Sequence, residues 1–116
     1  MNGFNEINWY GQLNASITVC DRKGIVVYMN DRAIDQFQKY GGDNLIGESL
    51  VECHPEPSRT KLLSMFEQPI ENIYTTEKNG VRKITIQKPW VQNSEFRGVV
   101  EISFVLPENM ANFKRE

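Results

Sequence analysis

The dipeptide Asn79-Gly80 is the feature of this sequence that most restricts its fold. It separates two segments rich in β-branched and aromatic residues, 71–78 and 81–90. Asn-Gly favours the two-residue turn that joins antiparallel strands, because both of its positions adopt positive φ at little cost. The sequence therefore predicts a β-hairpin here, and with it an antiparallel sheet.

A second hairpin is predicted near the start of the chain. The runs S-I-T-V-C and I-V-V-Y-M flank D-R-K-G, where Gly24 is available for a positive φ. Asn30 follows, and its side chain suits the first free amides of a helix, with Asp31 at the positive end of the helix dipole. We expect this helix to bury Ala33, Ile34 and Phe37 and to stop at Gly41-Gly42.

The last strand-like segment, 96–106, follows the loop-like run V-Q-N-S-E and alternates in polarity. One face carries Val100, Ile102, Phe104 and Leu106, and the other carries Glu101 and Ser103 between Val99 and Val105. We expect Val99 and Val105 on the exposed outer face of the sheet. In all, the order of elements predicts an α+β domain with an antiparallel sheet of about five strands and short helices across one face.

Composition excludes several classes of protein. The 116 residues have a formal net charge of -2, which lacks the basic excess of nucleic-acid binding. No apolar run approaches the roughly 20 residues of a membrane span, and the N-terminus lacks a signal-peptide pattern. Cys20 and Cys53 make no disulfide framework, so we expect reduced thiols and a cytoplasmic location.

The stretch E-C-H-P-E-P-S-R-T-K-L-L-S-M-F holds the single histidine, His54. Proline is tolerated in a first helical turn, so a helix is predicted to begin here, with His54 at or next to its cap. We expect the buried face to comprise Leu62, Leu63 and Phe66, with Met65 beside them. A catalytic Cys-His pair is disfavoured, since neighbours in sequence seldom aim their side chains at each other. A metal site is also disfavoured, because the cysteines and the histidine lack the spacing of metal ligands.

The runs A-S-I-T-V-C-D-R-K-G-I-V-V-Y-M-N-D-R-A and N-L-I-G-E-S-L, followed by three strands, resemble a PAS domain. The resemblance implies a sheet in the order 2-1-5-4-3 and a cavity between sheet and helices. It also implies an N-terminal cap helix at Phe4 to Leu13, where apolar residues recur at helical spacing. The domain then divides into a cap at 1–14, a core at 15–106 and a tail at 107–116.

The resemblance leaves the ligand and any cofactor unknown. Haem-binding PAS sensors place their axial histidine five residues after the second proline, where this chain has Leu62. Flavin-binding members carry a photoreactive cysteine three residues before the position of Cys53. Both cofactors are therefore disfavoured. The candidate ligand-binding residues are His54, Arg59, Tyr28, Tyr74, Gln87 and Trp90, with core packing as the alternative for Trp90 and capping for His54.

Two functions remain open. The first is a sensory module that binds a small molecule and signals through a partner protein; the second is a ligand-free interaction module. An enzyme is not predicted, because no paired carboxylates or comparable catalytic groups are visible. We expect a homodimer in which Phe4 to Leu13 packs on the outer face of the sheet or on its own copy. Any output then comes from a partner chain or from a longer parent protein.

Overall fold

The computed structural model describes residues 8–116, which form a five-stranded antiparallel sheet with short helices against one face. The strand order is β2-β1-β5-β4-β3, as predicted. Three single-turn 3-10 segments, Gln38–Tyr40, Gly42–Leu45 and Val51–Cys53, connect the two α-helices. The elements are β1 Ser16–Asp21, β2 Val26–Met29, α1 Asp31–Gln36, α2 Ser58–Glu67, β3 Asn72–Lys78, β4 Val81–Gln92 and β5 Glu95–Val105. No helix in this described range is long and apolar enough to span a membrane.

The turns explain the antiparallel order. Asn79 and Gly80 both have positive φ, 54° and 78°, which confirms the hairpin between β3 and β4. Asn93 and Ser94 also have positive φ, so β4 and β5 meet at a tight turn where the sequence predicted a longer loop. In the first hairpin Gly24 takes a φ of 82°, as expected.

Asn30 connects three parts of the chain: the segment before β1, β1 itself and α1. Its Oδ1 accepts hydrogen bonds from the amides of Ala33 at 3.0 Å and Ile17 at 2.9 Å. Its Nδ2 donates to the carbonyls of Tyr10 and Ala15, both at 2.8 Å. The predicted helix start at Asn30 is therefore confirmed, and the same side chain also anchors the chain before β1.

The N-terminal cap helix is not found where the structure can test it. Phe4 to Ile7 lie outside the described residues, and residues 8–13 form a turn with no helix. The Oδ1 of Asn8 accepts from the amide of Gly11 at 2.9 Å, which closes this turn. The carbonyls of Tyr10 and Gly11 bind Asn30 and Asp31, so they are not free to continue a helix.

Helix α2 begins later than the sequence predicted, and its buried face differs. Pro57 is its N-cap and Ser58 its first residue, so His54 precedes the helix and does not cap it. Leu62 and Met65 are buried, and Phe66 packs against the core, but Leu63 is 49% exposed. The expectation that Leu63 is buried is therefore wrong, because it lies about 100° around the helix from Leu62.

The inward and outward faces of β5 are the reverse of those expected from the sequence, as the position of Val99 shows. This residue is completely buried in the core between β1 and the helices, whereas Val105 is 54% exposed. Inward alternation from Val99 also places Glu101 and Ser103 under the helices, each 3% exposed. The outer face instead carries a transverse row of paired isoleucines, Ile17, Ile102, Ile86 and Ile73.

Gly98 allows β1 and β5 to approach closely. A Cβ at this position would overlap the carbonyl oxygen of Cys20 on the neighbouring strand. The close approach brings Cys20 and Val99 together as a directly paired, fully buried couple. This apolar pair closes one end of the inner face, and the polar residues begin immediately beyond it.

Candidate functional site

The inner face of the sheet carries two transverse rows of polar side chains. Directly paired residues share a face, so the strand register defines each row. The first row runs from β1 to β3 through Thr18, Glu101, Gln87 and Asn72. The second runs through Ser16, Ser103, Thr85 and Tyr74. A buried sheet face is usually apolar, so this polarity marks the inner face as the candidate site.

His54 and Glu101 form a buried pair at the centre of the first row. The Nε2 of His54 lies 2.8 Å from the Oε2 of Glu101, and the residues are 6% and 3% exposed. The other ring nitrogen, Nδ1, lies 3.0 Å from the carbonyl oxygen of Leu50. Both ring nitrogens therefore face oxygen atoms, which suits an imidazolium that donates from each nitrogen to a carbonyl and to a carboxylate.

The surroundings favour the charged forms of both residues. Burial lowers the pKa of His54, but the hydrogen bond and charge of Glu101 and the bond to Leu50 outweigh it, so the net pKa is raised. Burial raises the pKa of Glu101, yet the bonds from His54 and Gln87, with the charges of His54 and Lys83, leave it lowered. Both shifts therefore favour the imidazolium–carboxylate form of the pair.

Two amides extend this pair to the edge of the sheet. Gln87, which is completely buried, donates from Nε2 to the Oε2 of Glu101 at 2.7 Å. Its Oε1 accepts from the Nδ2 of Asn72 at 2.8 Å. The chain of bonds thus runs from His54 through Glu101 and Gln87 to Asn72 on the edge strand β3. We refer to these four residues as the polar network.

The segment before α2 holds His54 over the sheet. The amide of His54 donates to the carbonyl of Val51 at 3.1 Å, which closes the 3-10 turn Val51–Cys53. Its own carbonyl accepts from the Nε of Arg59, in the first turn of α2, at 3.0 Å. The ring of Phe37 lies 6.3 Å from the imidazole. His54 is therefore fixed to both the 3-10 turn and α2.

The structure brings together four of the six predicted ligand-binding residues. His54 and Gln87 belong to the polar network, and Arg59 binds the backbone of His54. Tyr74 lies in the neighbouring polar row, where burial and then the charge of Glu101 raise its pKa, partly offset by contacts with Ser58 and Thr85. These residues surround Glu101, but their polar atoms are largely engaged with one another.

Tyr28 and Trp90 lie elsewhere. Tyr28 pairs with Val19 and stacks edge-on against Tyr10, with ring centroids 5.5 Å apart. Since Val19 pairs with Val100, both tyrosines belong to the outer side of the sheet. Trp90 pairs with Gly98 and also falls in the outward register, one position beyond the inward Pro89. The structure therefore separates both residues from the polar network.

Sequence reasoning missed Glu101, Asn72 and Thr18. Glu101 was assigned to the opposite side of the sheet from the helices, because the more apolar face of a strand usually turns inward. The hydroxyl of Thr18 is buried without a hydrogen-bond partner beside Glu101 in the same row. A glutamate flanked by Val99, Val100 and Ile102 in a central strand was the available signal, since such a charge requires a partner.

Two open clefts adjoin the polar rows. The first, of about 590 Å³, lies between α1 and the ends of β4 and β5, and the second, of about 600 Å³, lies along β3 and β4. Lys83 and Val105 line both. The first is lined by Leu13, Asn14, Ala15, Arg32, Asp35, Gln36, Lys83, Ser103, Phe104 and Val105. None of the six predicted ligand-binding residues lines either cleft.

The thiols and the carboxylates do not form a reactive or metal-binding centre in residues 8–116. Burial raises the pKa of Cys20 to about 11 and also raises the pKa of Cys53. Both thiols therefore stay protonated and weakly nucleophilic at neutral pH. Within the described range, no three His, Cys, Asp or Glu side chains cluster closely enough to hold a metal ion.

The sheet order 2-1-5-4-3, with short helices over one face, defines a small α+β domain. The family model of the PAS fold matches residues 10–73, which is more than half of the chain. The chain therefore belongs to the PAS family. No curated protein sequence matches it.

Solved structures agree on this fold. The PAS domain of Bordetella pertussis BvgS is 17% identical, with a TM-score of 0.63 over 84% of this chain and 81% of that one. A sensory box sensor histidine kinase from Vibrio cholerae is 12% identical, with a TM-score of 0.63 over 83% and 85%. The Vibrio cholerae VqmA dimer, described as a LuxR-type receptor, is 15% identical, with a TM-score of 0.61 over 93% and 53%.

Proposed function

We propose that this PAS domain is a signal-sensing module, not an enzyme, and that it binds a small molecule and signals through protein–protein contacts. The observation that carries the proposal is the cleft of about 590 Å³ between α1 and the ends of β4 and β5. Its volume falls in the range of roughly 300–1,000 Å³ that is typical of small-molecule sites.

The lining of this cleft suits a small polar molecule with charged groups. Arg32 and Asp35 on α1 and Lys83 on β4 supply charges of both signs. The buried hydroxyl of Ser103 donates to the Oε1 of Gln36 at 3.1 Å, which joins β5 to α1 across the cleft.

The cleft is connected to the polar network through two residues. The charge of Lys83 lowers the pKa of Glu101, and Ser103 lies two positions after Glu101 on the same face of β5. A ligand that neutralises Lys83 would therefore change the electrostatic environment of Glu101. We propose that His54, Tyr74 and Gln87 respond to the ligand by this route.

The test is a thermal-shift screen of the purified protein against amino acids, dicarboxylates and mononucleotides. A ligand at a hundredfold excess over its Kd stabilises the folded state by about 2.7 kcal/mol, which is readily measured. Lys83→Met should remove most of the shift, and the matched control Lys61→Met, at an exposed position of α2, should keep it. If no compound shifts the melting temperature, or if Lys83→Met leaves the shift intact, the cleft is not the sensory site.

A second function, that of a homodimeric interaction module, is favoured by the outer face of the sheet. The row Ile17, Ile102, Ile86 and Ile73 crosses four strands and becomes more exposed toward β3, where Ile73 is 49% exposed. Phe104 adds a further 38% exposed side chain beside it. A contiguous apolar face of this kind is typical of a surface that binds a partner.

We propose a second copy of the chain as that partner, because one two-fold axis would cover both apolar faces at once. The VqmA structure, which shares this fold, is described as a dimer. The N-terminal segment reaches the same side of the sheet, since Tyr10 packs against Tyr28. Trp9, which is 65% exposed, would then be covered at the edge of the interface.

Sedimentation velocity tests the dimer with a matched pair of variants. Ile73 and Leu63 are both 49% exposed, but Ile73 lies on the outer sheet face and Leu63 on α2. We expect Ile73→Lys to convert dimer to monomer and Leu63→Lys to leave the dimer unchanged. A monomeric wild-type protein, or a dimer that survives Ile73→Lys and Phe104→Lys together, would exclude this interface.

A further inference from the structure

The buried ion pair of His54 and Glu101 joins two parts of the fold that no strand pairing connects. His54 belongs to the segment before α2, and Glu101 lies in the central strand β5. Three residues separate His54 from Ser58, the first residue of α2, and Arg59 in the first turn binds the carbonyl of His54. The position of this helix is therefore tied to the position of the imidazole.

The imidazole fits its surroundings only while the pair holds its proton. Leu50 offers a carbonyl oxygen to Nδ1, and Glu101 offers a carboxylate oxygen to Nε2. A neutral imidazole facing an ionised Glu101 has a single N–H, so one ring lone pair would point at an oxygen atom. A buried polar atom without a hydrogen-bond partner destabilises the folded state, because water cannot reach it.

The neighbouring residues cannot correct this mismatch. Gln87 already donates its Nε2–H to the same Oε2 of Glu101 and accepts from Asn72 at its other end. Lys83 stabilises the carboxylate of Glu101, which keeps a negative charge in place after the imidazole becomes neutral. The Phe37 ring beside the imidazole has no hydrogen bond to offer. Relief then requires His54 to move.

We propose that His54 and Glu101 form a proton-operated latch, in which loss of the proton from the pair releases the segment 50–54 and shifts α2 relative to the sheet. This inference does not depend on the proposed ligand or on the dimer. It makes protons an input signal of the domain in their own right, with α2 as the element that moves.

The other ionisable groups around the latch influence which change of pH opens it. Arg59 on α2 opposes the positive imidazole, whereas Lys83 on β4 supports the carboxylate. Tyr74 on β3 and the thiols of Cys20 on β1 and Cys53 beside His54 have raised pKa values, so they remain neutral near pH 7. Glu52, next to Cys53, is exposed. The latch is therefore closed while the imidazole holds its proton, and it opens when the pH rises through the midpoint of the imidazole.

A pH titration of the full chain by NMR tests the latch, and the single histidine makes its signal unambiguous. We expect the imidazole to titrate above the ordinary midpoint of about 6.5. Backbone amides in α2 should shift with the same midpoint. In Glu101→Gln the imidazole midpoint should fall by about one pH unit or more, since the opposite charge is removed. The matched control Glu77→Gln, on the exposed part of β3, should leave it unchanged.

The wild-type titration decides the matter even if Glu101→Gln fails to fold. An imidazole midpoint at or below the ordinary value would overturn the latch. So would an elevated midpoint with α2 amides that stay still, because the pair would then be a static structural link.

Discussion

Glu101 occupies a position where a charge is costly. It is 3% exposed in the central strand of the sheet, between strands that bury Thr18 and Gln87 beside it. Desolvation of such a carboxylate amounts to several kcal/mol, which is offset only by a well-placed cation and hydrogen bonds. His54 and Gln87 supply these at 2.8 and 2.7 Å. The residue is therefore stable only as part of the polar network.

Removing only one member of the pair should destabilise the fold strongly, because the other member is left buried without its partner. We expect His54→Ala and Glu101→Ala each to lower the free energy of unfolding by about 3–5 kcal/mol, because each leaves a buried partner unpaired. The double variant should lose clearly less than the sum. Urea unfolding measures all three, with Glu77→Ala as a control that stays close to wild type. Strictly additive losses would show that the two residues do not interact.

The pair also predicts how stability depends on pH. The raised pKa of His54 means that its contribution is complete below the unfolded value of about 6.5 and is lost as the pH rises through the folded value. The lowered pKa of Glu101 means that its contribution is complete above the ordinary carboxyl range and is lost as the pH falls through the folded value.

Melting temperatures measured from acid to alkaline pH should therefore show a plateau with a decline at each end. Both declines should be smaller in Glu101→Gln than in the wild type. Glu77→Gln should preserve the wild-type profile. If Glu101→Gln and wild type declined in parallel at both ends, other groups would control the pH dependence.

At the scale of elements, the sequence predicted the positions of strands and turns well, but it did not predict which face of a strand lies under the helices. Asn79-Gly80 and Gly24 marked two hairpins through local backbone preference, which is readable from one or two residues. The orientation of β5 depends instead on which face the helices cover, and that is decided by contacts distant in sequence. Glu101 lies on the inner face, against the usual pattern, and pairs there with His54, which is 47 positions away in the sequence.

Helix α2 shows the same limit within one turn. Leu62 and Met65 lie on the side that meets the core, whereas Leu63 lies about 100° around the helix from Leu62, so the prediction that both leucines are buried was wrong at Leu63. We expect Leu62→Ala to lower stability by about 2–5 kcal/mol, since Leu62 is completely buried. Leu63→Ala should change it by less than about 0.5 kcal/mol, as is usual for surface sites. Urea unfolding compares them directly, and equal losses would mean that both leucines are buried.

At the scale of the molecule, the sheet has an unusual division of polarity. The inner face, under the helices, carries the polar rows, and the outer face carries the isoleucine row. The fold class and strand order followed from the sequence and the resemblance that it carries, whereas this division did not, and with it the sequence missed Glu101 and the residues that line the cleft beside Ser103. This division underlies our proposal that the domain associates through its outer face and senses through its inner face.

The protonation state of His54 is the most direct test of the buried polar network, because the network depends on a charged pair at its centre. Nitrogen-15 NMR of the imidazole reports each ring nitrogen separately, and the chain contains one histidine. We predict that in most molecules both Nδ1 and Nε2 carry a proton at the ordinary imidazole midpoint of about pH 6.5, each held in a hydrogen bond. Ring nitrogens that are half protonated or less at that pH would contradict the ion pair and the latch built on it.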